Sequence, residues 1–237
     1  MFQAASPEPE RETYDRSFNA LRTGFTAAVS HELRTPLARI LALLESAELP
    51  DADIPLLLEQ ARAEVENAGA LIDEIMFLSE LESGKEVVSL GHTTALPVLE
   101  EVVEDLVPAA ARAGVELAAA GDSSVDLPLR PRMLRIVAEN LAENAIRYAG
   151  HGSHFTLSIE RAGEFAVLTA ADDGVGVPED SLERIFERFY RGDTARSTRG
   201  TGLGLAIVKH VVAAAGGDVE AHGARGRGLR VKATFPS

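Results

Sequence analysis

From about Arg16 the apolar residues recur at helical spacing, with Leu21, Phe25 and Ala28 followed by Leu37, Ile40, Leu41 and Leu44. The pattern stops at Glu48-Leu-Pro-Asp-Ala-Asp, a run of turn formers. It resumes near Pro55 as a near-heptad stripe of Leu58, Ala61, Val65, Ala68, Ile72 and Ile75. Two helices joined by a short turn make a hairpin, and a lone hairpin cannot bury both stripes. The core is therefore expected to be shared with a second copy, as a dimeric four-helix bundle. The first fifteen residues, MFQAASPEPERETYD, are polar with two prolines and read as a linker or a frayed helix start. Gly84 is placed to cap the second helix, so the helical domain spans residues 16–84.

From Lys85 the texture changes to mixed α/β, and a second domain is expected over residues 85–237. Strands are predicted near Val87–Leu90, Val115–Ala119, Phe155–Ile159, Phe165–Ala171, Asp218–Ala221 and Leu229–Phe235. Helices are predicted over Ala95–Ala113, Pro131–Tyr148 and Leu203–Ala215, and Pro131 suits a first helical turn. The expected fold class is thus an all-α hairpin followed by an α/β sandwich with a mixed sheet.

Composition narrows the function. A formal charge of -14 argues against binding nucleic acid through a basic surface. No apolar run is long enough to span a bilayer, and no signal-peptide pattern is present. With no cysteine there are no disulfides or thiolate metal sites, which fits a reducing compartment.

Ser-His-Glu-Leu-Arg-Thr-Pro-Leu, from Ser30 to Leu37, sets an imidazole, a carboxylate and a hydroxyl on neighbouring helical positions. His31 and Thr35 share a face, and Glu32 is placed to polarise one ring nitrogen so that the other carries the free lone pair. Pro36 interrupts the helical ladder just beyond. Taken alone, such a pair is more often a solvated surface feature; the later motifs change that balance.

Four motifs in the second domain point to a phosphate ester. On one helix, Asn140 and Asn144 are i and i+4 and turn both amides into one cleft, where their hard, neutral oxygens suit Mg²⁺. Arg147 and Tyr148 follow as a phosphate partner and a flat surface for a base. Asp172-Asp173-Gly174-Val175-Gly176 comes straight after a strand, so Asp172 can accept from an exocyclic amine such as that of adenine, and the glycines let the ligand approach. A calcium loop would need oxygen ligands where Val175 and Val177 stand. Gly200-Thr201-Gly202-Leu203-Gly204 opens a helix, where backbone amides and the positive helix end bind phosphate. It matches neither a P-loop nor a dinucleotide fingerprint. Between these, Phe186 and Phe189 are suited to anchor a lid whose Arg191, Arg196 and Arg199 reach phosphate.

In this order, SHELRTPL, NLAENAIRY, DDGVGV, FERFYR and GTGLGL resemble the H, N, G1, F and G2 boxes of bacterial two-component sensor histidine kinases. The resemblance covers about residues 16–236. It implies a HisKA-type dimerisation and phosphotransfer domain with a GHKL, or Bergerat, ATP-binding domain. It implies ATP and Mg²⁺ as cofactors, His31 as the phosphoacceptor attacking through Nε2, Glu32 as its acidic neighbour, and Thr35 as the position that helps place water in dephosphorylation. Asn144, supported by Asn140, corresponds to the metal ligand, Asp172 to the adenine reader, and Gly174, Gly176, Gly202 and Gly204 to the nucleotide-binding glycines. The implied reaction is autophosphorylation followed by transfer to an aspartate on a response regulator receiver domain, with phosphatase activity left open. The implied partners are a second copy and the regulator, with no nucleic acid and no membrane contact within this chain.

Three departures stand out: Arg130 in place of an aspartate, Asp173 in place of the usual asparagine, which adds charge near ATP, and Gly228-Leu-Arg without the usual Gly-Thr pair. About thirty residues precede His31, too few for a sensor domain, so either a cytoplasmic fragment of a longer, membrane-bound kinase or input from another protein is expected. The expected localisation is cytoplasmic. A nucleotide-binding scaffold is the rival reading, against which His31, Glu32 and Asn144 all count. An ATPase of the gyrase-like superfamily would want an acid at the Asn140 position to activate water. His92, His151, His154, His210 and His222 show no paired metal-ligand geometry; His151 and His154 are placed where they could lie near the nucleotide pocket, but read rather as surface loop residues.

Overall fold

The computed structural model describes residues 8–83, 91–192 and 200–236, with side chains described from residue 27. It divides into two compact units, Met1–Ile75 and Met76–Ser237. The division falls inside the second helix, upstream of the boundary expected at Gly84, because the last helical turns cluster with the second unit.

The first unit is built on α1 (Glu8–Ala47) and most of α2 (Ile54–Glu82). α1 starts at Glu8 rather than near Arg16 and runs without a break through Pro36. Asp53 closes the turn between the helices: its carboxylate accepts the Leu56 N–H at 3.2 Å, capping α2, and Pro55 follows where a missing N–H is tolerated. Glu64 on α2 is buried and meets the Arg39 guanidinium of α1 at 3.5 Å, so an inward carboxylate has a cation across the hairpin. Two helices bury only one strip each against one another. Leu37, Leu41 and Leu44 on α1, and Leu58, Val65 and Ile72 on α2, accordingly remain 44 to 61% exposed within a single chain. These are the residues whose spacing predicted a core.

In the second unit a five-stranded sheet runs in the order β2 (Val115–Gly121), β4 (Ser153–Ala162), β5 (Phe165–Asp172), β7 (Leu229–Pro236), β6 (Asp218–Gly223). β2 and β4 are parallel and the other pairs antiparallel, as expected of a mixed sheet. A separate two-stranded ladder joins β1 (Thr93–Thr94) to β3 (Asp126–Leu127), both too short to leave a periodic signal. The strand predicted near Val87–Leu90 and the cap predicted at Gly84 lie outside the described residues. Three helices, α3 (Ala95–Ala113), α4 (Pro131–Tyr148) and α5 (Gly204–Ala214), form the covering layer, α3 packing on β2 and α4, and α4 on α5.

Strand alternation sets what faces the helices. Phe155, Leu157 and Ile159 of β4 are buried, and register pairs them with Asp172, Ala170 and Leu168 of β5. Asp172 therefore shares the helix-covered face, and the next residue turns to the opposite face. α4 buries Met133, Leu134, Val137, Ala138, Leu141, Ala142 and Ala145 and leaves Asn140 and Asn144 half-buried at the margin of that stripe. Arg130 is its N-cap and makes no side-chain cap; its extended backbone carbonyl accepts from Met133 and Leu134, and Pro131 supplies the preset first turn.

Candidate functional site

On α1 the His31 side chain is 75% exposed, and its Nδ1 lies 3.4 Å from Glu32 Oε1. The carboxylate lies on the Nδ1 side of the ring, and Nε2 is the nitrogen away from it. The Thr35 hydroxyl donates to the His31 carbonyl at 3.4 Å, one helical turn along α1.

In the second unit the predicted motifs converge. Asn140 donates its Nδ2 to Ile136 O at 2.8 Å, which turns its amide oxygen away from its own helix. A Cβ added to Gly204 would lie 2.5 Å from that oxygen, and one added to Gly200 would lie 2.6 Å from the Tyr148 hydroxyl. The start of α5 and its preceding glycines thus press against the face of α4 that carries both asparagines. Arg147 is exposed and donates to Glu143 at 2.6 Å on its own helix.

The G1 segment closes the other side. Both backbone donors to Asp172, Gly174 N–H at 2.9 Å and Leu229 N–H at 3.3 Å, reach its Oδ1. Oδ2 takes part in neither bond and is left to accept. Burial pushes the Asp172 carboxyl above its ordinary range; the Gly174 and Leu229 amides oppose this and the neighbouring Asp173 charge adds to it. Gly174 is packed on the Ala149 carbonyl at the end of α4, and Gly176 has φ 67°, with the Ala224 carbonyl where a Cβ would go.

At the F and G2 boxes Phe186 is buried and Phe189 half-buried, with φ 61°. The Phe189 N–H donates to Gly202 O at 2.9 Å, and Gly202 (φ 71°) comes so close that a Cβ would lie 2.8 Å from the Phe189 backbone. Leu203 is buried and is the N-cap of α5, with no side-chain cap; its own N–H goes to the Thr201 hydroxyl at 3.2 Å. The first amide of α5 to reach back is that of Ile207, onto Leu203 O, so the Gly204, Leu205 and Ala206 amides precede the helical ladder. Arg191 is half-buried; Arg196 and Arg199 lie outside the described residues.

These observations fit an adenine nucleotide: an acceptor oxygen left on a half-buried carboxylate, glycines where a Cβ would collide, and uncapped helix amides for phosphate. They also fit a hard cation, since the Asn140 oxygen is aimed away from its helix and Asn144 follows one turn on.

Sequence reasoning missed one contributor and misplaced another. Gly228, noted only as a departure, packs on the Asp172 carbonyl (φ 72°) and donates its N–H to Gly174 O at 3.0 Å; a glycine opening the last strand was the signal. The extra charge of Asp173 is turned to the outer sheet face, where it meets His154.

Two family models match. Residues 21–84 match the His Kinase A (phospho-acceptor) domain, and residues 129–237 the histidine kinase-, DNA gyrase B- and HSP90-like ATPase. The chain belongs to the sensor histidine kinases. It is 34% identical over 224 residues to the sensor-like histidine kinase SenX3 of Mycobacterium tuberculosis, covering 92% of this chain and 54% of SenX3. It is 30% identical over 235 residues to the sensor histidine kinase WalK of Bacillus subtilis, covering 96% of this chain and 38% of WalK. This histidine kinase chain spans about half the length, or less, of the curated relatives it matches. Among solved structures, the Acinetobacter baumannii histidine kinase AdeS shares the fold, with TM-score 0.71 and 23% identity over 87% of this chain and 97% of AdeS. Full-length ShkA in complex with AMPPNP gives TM-score 0.68 and 30% identity over 89% of this chain and 45% of ShkA. ThkA in complex with the response regulator protein TrrA gives TM-score 0.73 and 19% identity over 99% of this chain and 68% of ThkA. Among the described residues, no helix of this kinase chain is long and apolar enough to cross a membrane.

The Asp172 geometry yields a prediction. A carboxyl whose folded pKa is raised lowers stability as pH rises through the interval between its unfolded and folded values, so Asp172 costs stability on the alkaline side of that interval. In Asp172→Asn the amide oxygen can keep both backbone donors while its NH₂ group meets the ligand amine. The expected result is a melting temperature unchanged or raised, and adenine-nucleotide affinity weakened about 10- to 100-fold, read by calorimetric titration. Unchanged affinity would remove Asp172 from the site.

Proposed function

We propose that this chain is the catalytic portion of a two-component sensor kinase that phosphorylates itself on His31 from ATP and passes the phosphoryl group to an aspartate on a response regulator. The observation that carries the reading is an exposed imidazole, its Nδ1 beside a carboxylate, in a chain whose other unit has a free carboxylate oxygen and an uncapped helix start that suit an adenine nucleotide.

In the proposed reaction the His31 Nε2 lone pair attacks the γ-phosphorus, the bond to the β–γ bridging oxygen breaks, and ADP leaves. Glu32 stabilises the positive charge that develops on the ring through its Nδ1 contact. Asp172 Oδ2 accepts the adenine amine, and Tyr148 offers a flat side. The amides of Gly204 to Ala206, with Gly200, Thr201 and Gly202 leading into them, hold phosphate. Arg147 and Arg191, together with Arg196 and Arg199, are the cationic partners. Mg²⁺, held by Asn144 with Asn140 in support, would neutralise phosphate charge when bound. Phosphoryl transfer depends mostly on placement and charge neutralisation, and the cleft's amides, arginines and metal-holding asparagines would supply the neutralisation. An acidic group that would activate water for ATP hydrolysis is not at the Asn140 position, which favours the kinase reading over a gyrase-like ATPase.

The exposed leucine stripes of α1 and α2 support a homodimer closed as a four-helix bundle across residues 16–84. AMPPNP in the ShkA complex supports ATP as the nucleotide, and TrrA in the ThkA complex supports a receiver domain as partner. We place residues 85–237 as the ATP-binding domain and the chain on the cytoplasmic side. Thr35, one turn from the imidazole, is positioned to assist dephosphorylation of the regulator.

The deciding experiment incubates the purified chain with γ-labelled ATP and Mg²⁺. Acid-labile, alkali-stable label is expected, lost in His31→Ala while nucleotide still binds; label surviving that substitution would sink the assignment. Asn144→Ala is expected to abolish the gain in ATP affinity that Mg²⁺ brings, and an undiminished gain takes Asn144 out of the metal site. Leu41→Glu places a charge in the proposed shared core and should convert a dimer to a monomer in sedimentation; a dimer of unchanged mass shows that this face is not the interface.

A further inference from the structure

We propose that His154 is a positioning residue for the nucleotide site, holding the Asp172–Gly174 segment from the opposite face of the sheet through a bridge to Asp173. The proposal rests on reading that segment as the adenine site.

At the end of β5 successive side chains leave on opposite faces, so the peptide joining Asp172 to Asp173 is gripped from both. On the covered face Asp172 Oδ1 takes the Gly174 and Leu229 amides. On the outer face the Asp173 carboxylate takes two donors from one residue, the His154 backbone N–H at 2.6 Å and ring Nδ1 at 2.9 Å. Asp173 N–H donates in return to His154 O at 3.2 Å, which closes the pairing of β4 with the end of β5. The far ring nitrogen, Nε2, lies 3.6 Å from Glu116 on β2. The imidazole thus ties three adjacent strands, β2, β4 and β5, at the edge of the site.

The titratable groups facing His154 are Asp173 from the end of β5 and Glu116 from β2, both acidic. Hydrogen bonding and attraction to Asp173, then attraction to Glu116, raise the imidazole above its ordinary value. The His154 backbone and ring hold Asp173 below its own. The sign follows. The pair is fully charged above the carboxylate's lowered pKa and below the imidazole's raised one, and it is lost as pH rises through the latter. Above that point the imidazole can offer Asp173 only an uncharged Nδ1–H bond, and the carboxylate's unneutralised charge acts on Asp172 beside it, a repulsion that already contributes to raising the Asp172 carboxyl. Because the pair is solvent-exposed, the effect is modest.

The test is ADP affinity of the full chain, measured by calorimetry from about pH 6 to about pH 9 and expressed as the ratio of wild type to His154→Gln. The ratio cancels the titration of ADP's own phosphates. His154→Gln is expected to bind about two- to fivefold more weakly at the acid end, the two proteins converging at the alkaline end. In Glu116→Gln the midpoint of the wild-type profile should move to lower pH, because one of the two carboxylates that raise His154 is gone. A ratio constant across pH overturns the proposal while leaving the nucleotide site standing. If His154→Gln loses its folded circular dichroism spectrum, Glu116→Gln decides alone, and an unmoved midpoint overturns the proposal. Wild type that binds no ADP at any pH overturns the nucleotide reading itself, and this inference with it.

Discussion

The strict alternation of side chains along β5 is the constraint on which the site depends. It sends Asp172 under the helices and Asp173 to the outer face, and no other register would do both. Once Asp172 lies on the covered side, the Gly174 and Leu229 amides converge on one of its oxygens and leave the other to read a ligand. Gly174 must then pass against the end of α4, which brings the asparagine-bearing helix to the same cleft. A slip of one residue would bury Asp173 and turn Asp172 to solvent. Burial disfavours the charged form of this carboxyl where it stands, so its place there is a local strain carried by a well-packed sheet.

The helical unit follows a different logic. Its stability within one chain is incomplete by construction, since apolar residues at heptad positions on both helices face water. Its polar contacts include Asp53 capping α2, Arg39 meeting the buried Glu64, and Glu32 beside His31. A nucleophile on such a helix is held by long-range packing rather than by a pocket of its own. The exposed ring is therefore open to more than one reaction partner, which suits a residue proposed both to accept and to give away a phosphoryl group.

Much of this was legible in the sequence. α3 and α4 appear at the predicted residues, Ala95–Ala113 and Pro131–Tyr148, because their amphipathic stripes and a proline at the first turn agree with one another. The motif residues from Asn140 to Tyr148, Asp172 to Gly176 and Gly200 to Gly204 come together as their order implied, since each sits at the end or on one face of a well-marked element. Short pieces escaped: β1 and β3 have two residues each and carry no period. The ends of β4 escaped too, because Ser153 is small and buried while Arg161 and Ala162 pair without an alternating pattern. What local pattern could not supply was facing across strands. Nothing near His154 in the chain says that Asp173, nineteen residues on, will be its partner. Asp173 read as extra charge beside the nucleotide until the register assigned it a face.

The bare start of α5 has a consequence for folding as well as for binding. Leucine at the N-cap brings no oxygen to the first turn, so three amides begin the helix with nothing from their own cap residue to receive them. A phosphate group placed there completes the helix in the sense that a serine or aspartate would elsewhere. On the proposed reading the end of this helix would be partly written by a solute, and nucleotide held there would stabilise the folded domain by mass action.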